Sequence, residues 1–186
     1  MRPALVATLG FALIAPALVA KRTLAFERLY SPTPVGKVEI KELPARVALS
    51  SNADGAYFAR DNKLFMTLFE YIKENDISMT VPVEAEIEEA EMRFFVGEGL
   101  VDEQLDSTPG VSVTAMPNRQ VVSVGLRGSY SEATFARGER ELASWLSAHP
   151  EWRPAAPPYA VYWNGPYIPA LFRRSEVHIP IAPAVP

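Results

Sequence analysis

From Ala56 to Glu74 the apolar positions Leu64, Phe65, Leu68, Phe69 and Ile72 recur at three- and four-residue spacing, with Arg60, Lys63, Glu70 and Lys73 elsewhere. That period draws one apolar stripe along a helix, which Asn75-Asp76 ends. Asn52-Ala-Asp-Gly before it reads as a turn and helix-start signal, because Asn and Asp side chains cap exposed N–H groups. A second stripe, Phe135, Leu142, Trp145 and Leu146, predicts a helix over Glu132–Ala148 with Ser131 as its N-cap. His149-Pro150 closes it, since the residue before a proline leaves the α region.

Around these helices the pattern changes to short β-rich runs. Val38 to Leu43 alternates with period 2 and stops at Pro44, and Arg46–Ser50 is expected to continue it or to lie beside it. Met79–Glu88 and Met92–Val96 read as strands joined by the acidic turn Glu88–Glu91. Val101–Gly110 is a polar connector. Val111–Met116 and Gln120–Arg127 flank the Pro117-Asn118 turn, and Tyr159–Trp163 and Glu176–Ile181 are the last strands. Both halves therefore read strand, helix, strand, strand, although direct identity between them is slight. The expected fold is α+β: a distorted antiparallel β-barrel of two such repeats, flanked by two helices, with an apolar N-terminal segment in front.

That segment, Pro3 to Ala20, is an uncharged run of 18 residues with Arg2 before it and Lys21-Arg22 after it. A bilayer span takes about 17–25 apolar residues, so the run is just long enough. It also has a secretory h-region in Ala4–Ile14 and small-x-small spacing at Ala15-Pro16-Ala17. Residues 1–22 are expected to be a signal peptide or a membrane anchor, the two being nearly equal in weight. The excess of positive charge after the run would keep the following domain cytoplasmic if the segment is retained. Residues 23–34, with Ser31-Pro32-Thr33-Pro34, have the composition of a stiff linker, which puts the domain at 35–186. The protein is accordingly expected at a membrane or exported from the cytoplasm.

Net charge −4 and the lack of clustered Lys/Arg argue against a nucleic-acid surface. With no Cys and two His, a zinc site is not credible, and thiol and disulfide chemistry are excluded. No Gly-rich phosphate loop, nucleophile elbow or HExxH motif occurs. Glu84, Glu86 and Glu88 share one strand face and read as a solvated acidic face, so no catalytic carboxylate pair is expected.

Several stretches in the same order resemble one family. Leu64-Phe-Met-Thr-Leu-Phe-Glu-Tyr-Ile followed by Ile77-Ser-Met-Thr-Val-Pro-Val is similar to a helix leading into an "MTAPV"-type strand in the heme-binding protein/SOUL family. Met92-Arg-Phe-Phe-Val resembles the family's next strand. Met116-Pro and Val121–Gly128 resemble its central region, and Tyr159-Ala-Val-Tyr with Pro169–Val177 resembles its C-terminal "Y…RRNEV" signature, with Ser175 where Asn is usual. The match covers about residues 36–181. It implies a distorted β-barrel with two helices, similar to the effector-binding domains of gyrase-inhibitory-type proteins, and non-enzymatic binding of heme or a related tetrapyrrole.

A tetrapyrrole needs an apolar wall, cations for the propionates and, optionally, an axial ligand. The apolar wall is expected on the first helix, from Leu64 and Leu68 with the off-stripe Met66 and the helix-start residues Tyr57 and Phe58. The cations would be Arg60, Lys63, Arg173 and Arg174. The chain has no His near the start of the first helix, where an axial ligand has been proposed for some members, so ligation there is not inherited. His178 and His149 are the remaining metal-ligand candidates; alternation turns His178 away from Val177 and Ile179, and His149 sits at a helix C-terminus. Two other functions stay open. One is a cleft for small apolar or cationic effectors, with Tyr159, Tyr162 and Trp163 as lining candidates; the other is a surface for another polypeptide.

Overall fold

The structure is a computed structural model and describes residues 26–97, 105–165 and 167–184; the apolar run at 3–20 lies outside them. Among the described residues the chain forms β1 (Glu27–Arg28), β2 (Val38–Leu43), β3 (Arg46–Asn52), α1 (Tyr57–Glu74), β4 (Thr80–Val81), β5 (Val83–Glu86) and β6 (Glu91–Phe95). The second half continues with β7 (Ser112–Met116), β8 (Arg119–Arg127), α2 (Glu132–Ala148), β9 (Trp152–Pro154), β10 (Tyr159–Tyr162) and β11 (Arg174–Pro183). The long strands make one curled antiparallel sheet in the order β2-β8-β11-β10-β5-β6-β3-β7, and β9 pairs with the far end of β11. The fold is α+β, as the alternating periods predict.

Each half supplies one helix to the same face of this sheet. Leu64, Leu68 and Ile72 of α1 and Phe135 and Leu142 of α2 are buried there against Val122, Val124, Leu126, Val177, Ile179, Met92 and Phe94. Burial of such side chains contributes about 1.5–3 kcal/mol each. Gly138 lets α2 sit close, since a Cβ there would overlap Val177 and Leu126. Ser131 accepts the Thr134 N–H at 3.4 Å, as expected of an N-cap, whereas α1 starts from Ala56 with no side-chain cap. The Asn52–Gly55 stretch therefore turns the chain without capping the helix.

Three local expectations change. β3 does not extend β2 or lie beside it but pairs with β6 and β7 on the far side of the sheet. The Met79–Glu88 run is broken at Pro82, which follows a cis peptide bond, into β4 and β5. The third concerns the expected linker. Phe26–Pro34 lies on the sheet face away from the helices, where β1 pairs in parallel with β4 and Phe26 and Tyr30 pack on Val81, Tyr159, Val161 and Trp163. This segment is part of the folded unit because it carries Tyr30 and Thr33 into a groove that the curled sheet would otherwise leave open.

Candidate functional site

The expected site residues separate into two groups. The first gathers where the start of α1 meets the connection between β10 and β11. Tyr57, the first residue of α1, is 1% exposed rather than open to solvent, and its ring meets Phe58 edge-on at 5.2 Å. Its hydroxyl lies beside that of Tyr162, and burial raises both phenols above their ordinary pKa. Tyr162 stacks on Tyr130 at 4.2 Å, and the Arg173 guanidinium lies 5.4 Å from the centre of the Tyr130 ring. A line of rings thus joins the α1 start to Arg173.

The β10–β11 connection is pinned at its base. Tyr130 donates its hydroxyl to the carbonyls of Asn164 and Arg174 and accepts the Asn164 N–H at 2.9 Å. Asn164 Oδ1 accepts the Arg174 N–H at 2.7 Å, and Arg173 Nε donates to the Ile168 carbonyl at 2.7 Å. From this base Tyr167, Leu171 and Phe172 project with 68, 72 and 59% of their surface exposed. Large apolar side chains held out in this way form a contact surface rather than a core.

Two of the expected wall residues do not belong there. Leu64 and Leu68 are buried in the core and cannot line an external wall. Arg60, Lys63 and Met66 are exposed along α1, and Arg60 Nε donates to the Asp54 carbonyl at 3.3 Å. Arg174 is exposed as well. Tyr130, Tyr167, Leu171 and Phe172 were not singled out by sequence, although the run Ile168-Pro-Ala-Leu-Phe was a signal, being apolar in a turn-rich segment.

The second group lies on the opposite face of the sheet. Glu84 and Glu176, 0% and 1% exposed, are both buried there; the acidic strand face expected in water is partly an interior one. Arg46 and Arg119 hold Glu84 at 2.5 and 2.8 Å. Glu176 Oε1 accepts the Thr33 N–H and Trp163 Nε1–H, both at 2.7 Å. Its Oε2 accepts from Lys41 at 3.1 Å, Ser123 at 2.8 Å and His178 at 2.7 Å. Burial alone would raise this carboxyl, but the hydrogen bond from His178, with the Lys41 charge and the Ser123 hydrogen bond, outweighs it and holds it below the usual carboxylate range.

His178 does lie opposite Val177 and Ile179, but it is fully buried rather than facing out. Nε2 bonds Glu176 and Nδ1 bonds the Tyr159 hydroxyl at 3.1 Å, so neither nitrogen is open to a metal. The network fits the tautomer with Nε2 protonated, Nδ1 accepting from Tyr159. Burial lowers the His178 pKa despite Glu176. His149 stacks on Trp145 at 3.8 Å and bonds the Trp145 carbonyl through Nδ1 at 2.7 Å. It sits at the far end of α2, about 25 Å from the Tyr130 end at 1.5 Å per residue. Among the described residues no group of three His, Cys, Asp or Glu is arranged to hold a metal ion. None of the helices there is long and apolar enough to cross a membrane.

Similar folds occur in solved structures of low identity. EcmrR in its DNA complex matches with TM-score 0.65 and 15% identity over 80% of this chain, which spans 58% of that chain's length. The separate EcmrR C-terminal domain matches over 98% of its own length, with TM-score 0.64 and 14% identity over 80% of this chain. A hydrolase from Listeria innocua matches with TM-score 0.54 and 15% identity, covering 85% of this chain and all of that one. At these identities the likeness is one of fold. No curated relative matches the chain at a significant level. The SOUL heme-binding protein family matches residues 22–180, nearly the whole described structure, and the chain belongs to that family.

Proposed function

We propose that the protein is a non-enzymatic binder of heme or a related tetrapyrrole, which it holds where the start of α1 meets the β10–β11 connection. The observation that carries this reading is the exposed trio Tyr167, Leu171 and Phe172 on a pinned base, in a chain of a heme-binding family. Flat macrocycles bury most of their surface on apolar and aromatic side chains, with a few charged groups setting orientation. The trio suits the macrocycle. Arg174 from the connection and Arg60 from α1 suit the propionates, because guanidinium pairs with carboxylate in two parallel hydrogen bonds. His178 is engaged at both nitrogens and His149 is remote, so binding would rest on the apolar surface and these cations rather than on axial histidine.

A cleft for lipophilic cations is less well supported. Glu84 and Glu176, the carboxylates that would attract them, are already bound to Arg46, Arg119 and Lys41. The test is a titration of the full-length protein with heme and with iron-free porphyrin, followed at the Soret band. Both should bind saturably at similar strength. Phe172→Asp and Leu171→Asp should each weaken binding about tenfold or more while leaving the melting temperature unchanged. No saturable binding of either compound would sink the proposal. Binding that ignores both substitutions would move the site elsewhere.

A further inference from the structure

The groove on the face away from the helices is occupied by the chain itself. Segment Phe26–Gly36 enters it with few side chains. The Tyr30 ring meets Trp163 edge-on at 5.3 Å and lies 5.3 Å from Lys41 Nζ and 5.6 Å from the Arg46 guanidinium. Three residues on, the Thr33 N–H bonds Glu176 and the Thr33 hydroxyl pairs with Ser123 at 2.8 Å. The ends are clipped by main-chain bonds from the Leu29 N–H to Val81 O at 3.0 Å and from the Gly36 N–H to Gly125 O at 2.8 Å. The sheet makes room for the segment at Gly125, where a Cβ would collide with the carbonyls of Thr33 and Pro34.

These contacts are those of a ligand in a groove more than those of a core element. Glu27, Arg28, Ser31, Pro34, Val35 and Gly36 of the segment remain exposed. Two rings, Phe26 and Tyr30, with the Thr33 amide and hydroxyl, make most of the recognition, and main-chain bonds hold the ends. Within the groove Arg46 Nη1 is buried beside the Tyr30 side chain without a hydrogen bond at normal distance. Its charge tells which ligand fits. Arg46 and Arg119 pair with Glu84 and Lys41 with Glu176, Glu86 lies near Arg119 as well, and burial disfavours a charge on His178. With the carboxylates already paired, a further cation would have to displace one of these partners, whereas a neutral phenol beside guanidinium and indole is favoured.

We propose that this groove is a second binding site, separate from the tetrapyrrole surface, for an extended tyrosine-bearing peptide, and that Phe26–Gly36 is its displaceable resident occupant. The peptide would place its phenol against Trp163, give an amide N–H to Glu176 and lie parallel to β4. A competing resident lowers the apparent affinity for an added peptide by the fraction of time the groove is open. Weakening the resident should therefore tighten binding in trans.

The test uses the full-length protein and an acetylated, amidated synthetic peptide of residues 26–36. The reporter is the Trp163 indole N–H resonance, which is bonded to Glu176 and identified by its loss in Trp163→Phe. Tyr30→Ala should bind the peptide saturably and at least tenfold more tightly than the unsubstituted protein. A peptide with Ala in place of its tyrosine should not bind. Tetraphenylphosphonium should leave the resonance unmoved. Leu29→Pro, which removes the clip to Val81 and keeps Tyr30, carries the same expectation should Tyr30→Ala fail to fold. Equal affinity in all three proteins would overturn the resident role. Absence of binding in the variants would overturn the site, and a saturable shift with the cation would overturn the ligand class.

Discussion

Thr33 gives its backbone N–H to Glu176 Oε1 at 2.7 Å across 143 positions of sequence. The bond ties the first part of the described chain to the middle of its last strand. Glu176 is a buried acceptor for five donors, so its loss should be costly. Glu176→Leu leaves those donors unpaired and Lys41 uncompensated, and should destabilise the fold by about 3–5 kcal/mol. Glu176→Gln keeps one acceptor oxygen and should cost less. Urea unfolding measures both; a loss below about 1 kcal/mol in the leucine variant would mean that the network does not hold the segment.

Gly125→Ala puts a methyl group against two carbonyl oxygens of the bound segment. Overpacking of this kind costs about 1–3 kcal/mol. Here the segment can lift away, so the signature is local. The Gly36 amide, bonded to Gly125 O, should exchange with solvent much faster, while amides of β8 and β11 keep their protection relative to the global stability. Hydrogen exchange followed by NMR separates the two responses.

Acid should weaken the protein in two stages. The pKa of His178 is lowered in the fold, so the unfolded chain takes up the proton first, and stability falls as pH drops below the unfolded value of about 6.5. The pKa of Glu176 is lowered to about 2, so its contribution is present above the unfolded carboxylate value and is lost as pH falls from about 4.5 towards 2. The melting temperature should decline between pH 7 and 5, and His178→Gln should flatten that decline. An unchanged slope in the variant would assign the decline to other groups.

The two helices differ at their starts, and opposite substitutions should reveal it. Ser131→Ala removes the α2 cap and should cost about 1 kcal/mol. Ala56 already has the extended backbone of a cap, φ −70° and ψ 134°, without an accepting side chain. Ala56→Asp should therefore stabilise by about 0.5–1 kcal/mol, read as a raised melting temperature.

Helices and sheet strands were legible because each obeys a local period that its own residues spell out. The alternation Glu176, Val177, His178, Ile179 assigned the correct pairs to the two faces of β11. It did not reveal that both faces are covered, because the cover on one side is Phe26–Gly36. Ser31-Pro-Thr-Pro has no period and reads as a linker; what holds it down is the Thr33 amide and hydroxyl, with partners 143 and 90 positions away, and the Lys41 ammonium on the Ser31 carbonyl. The same blindness turned buried Glu84 into an expected surface residue, since Arg46 and Arg119 approach it from other strands. At the proposed tetrapyrrole surface, Arg173 and Arg174 were singled out for their charge, whereas Leu64 and Leu68 were chosen for apolarity, a property that core positions share with ligand walls. Tyr57 was misplaced because a helix start is usually open, and here Phe58 and Tyr162 close over it.

Gly125 has a use in comparing chains. Two carbonyls of the segment before β2 lie against the bare α-carbon of this residue. A relative with any side chain at the aligned position would have to route its N-proximal segment elsewhere and would present an open groove. That one column would therefore sort related chains into self-filled and vacant classes before any ligand is tried.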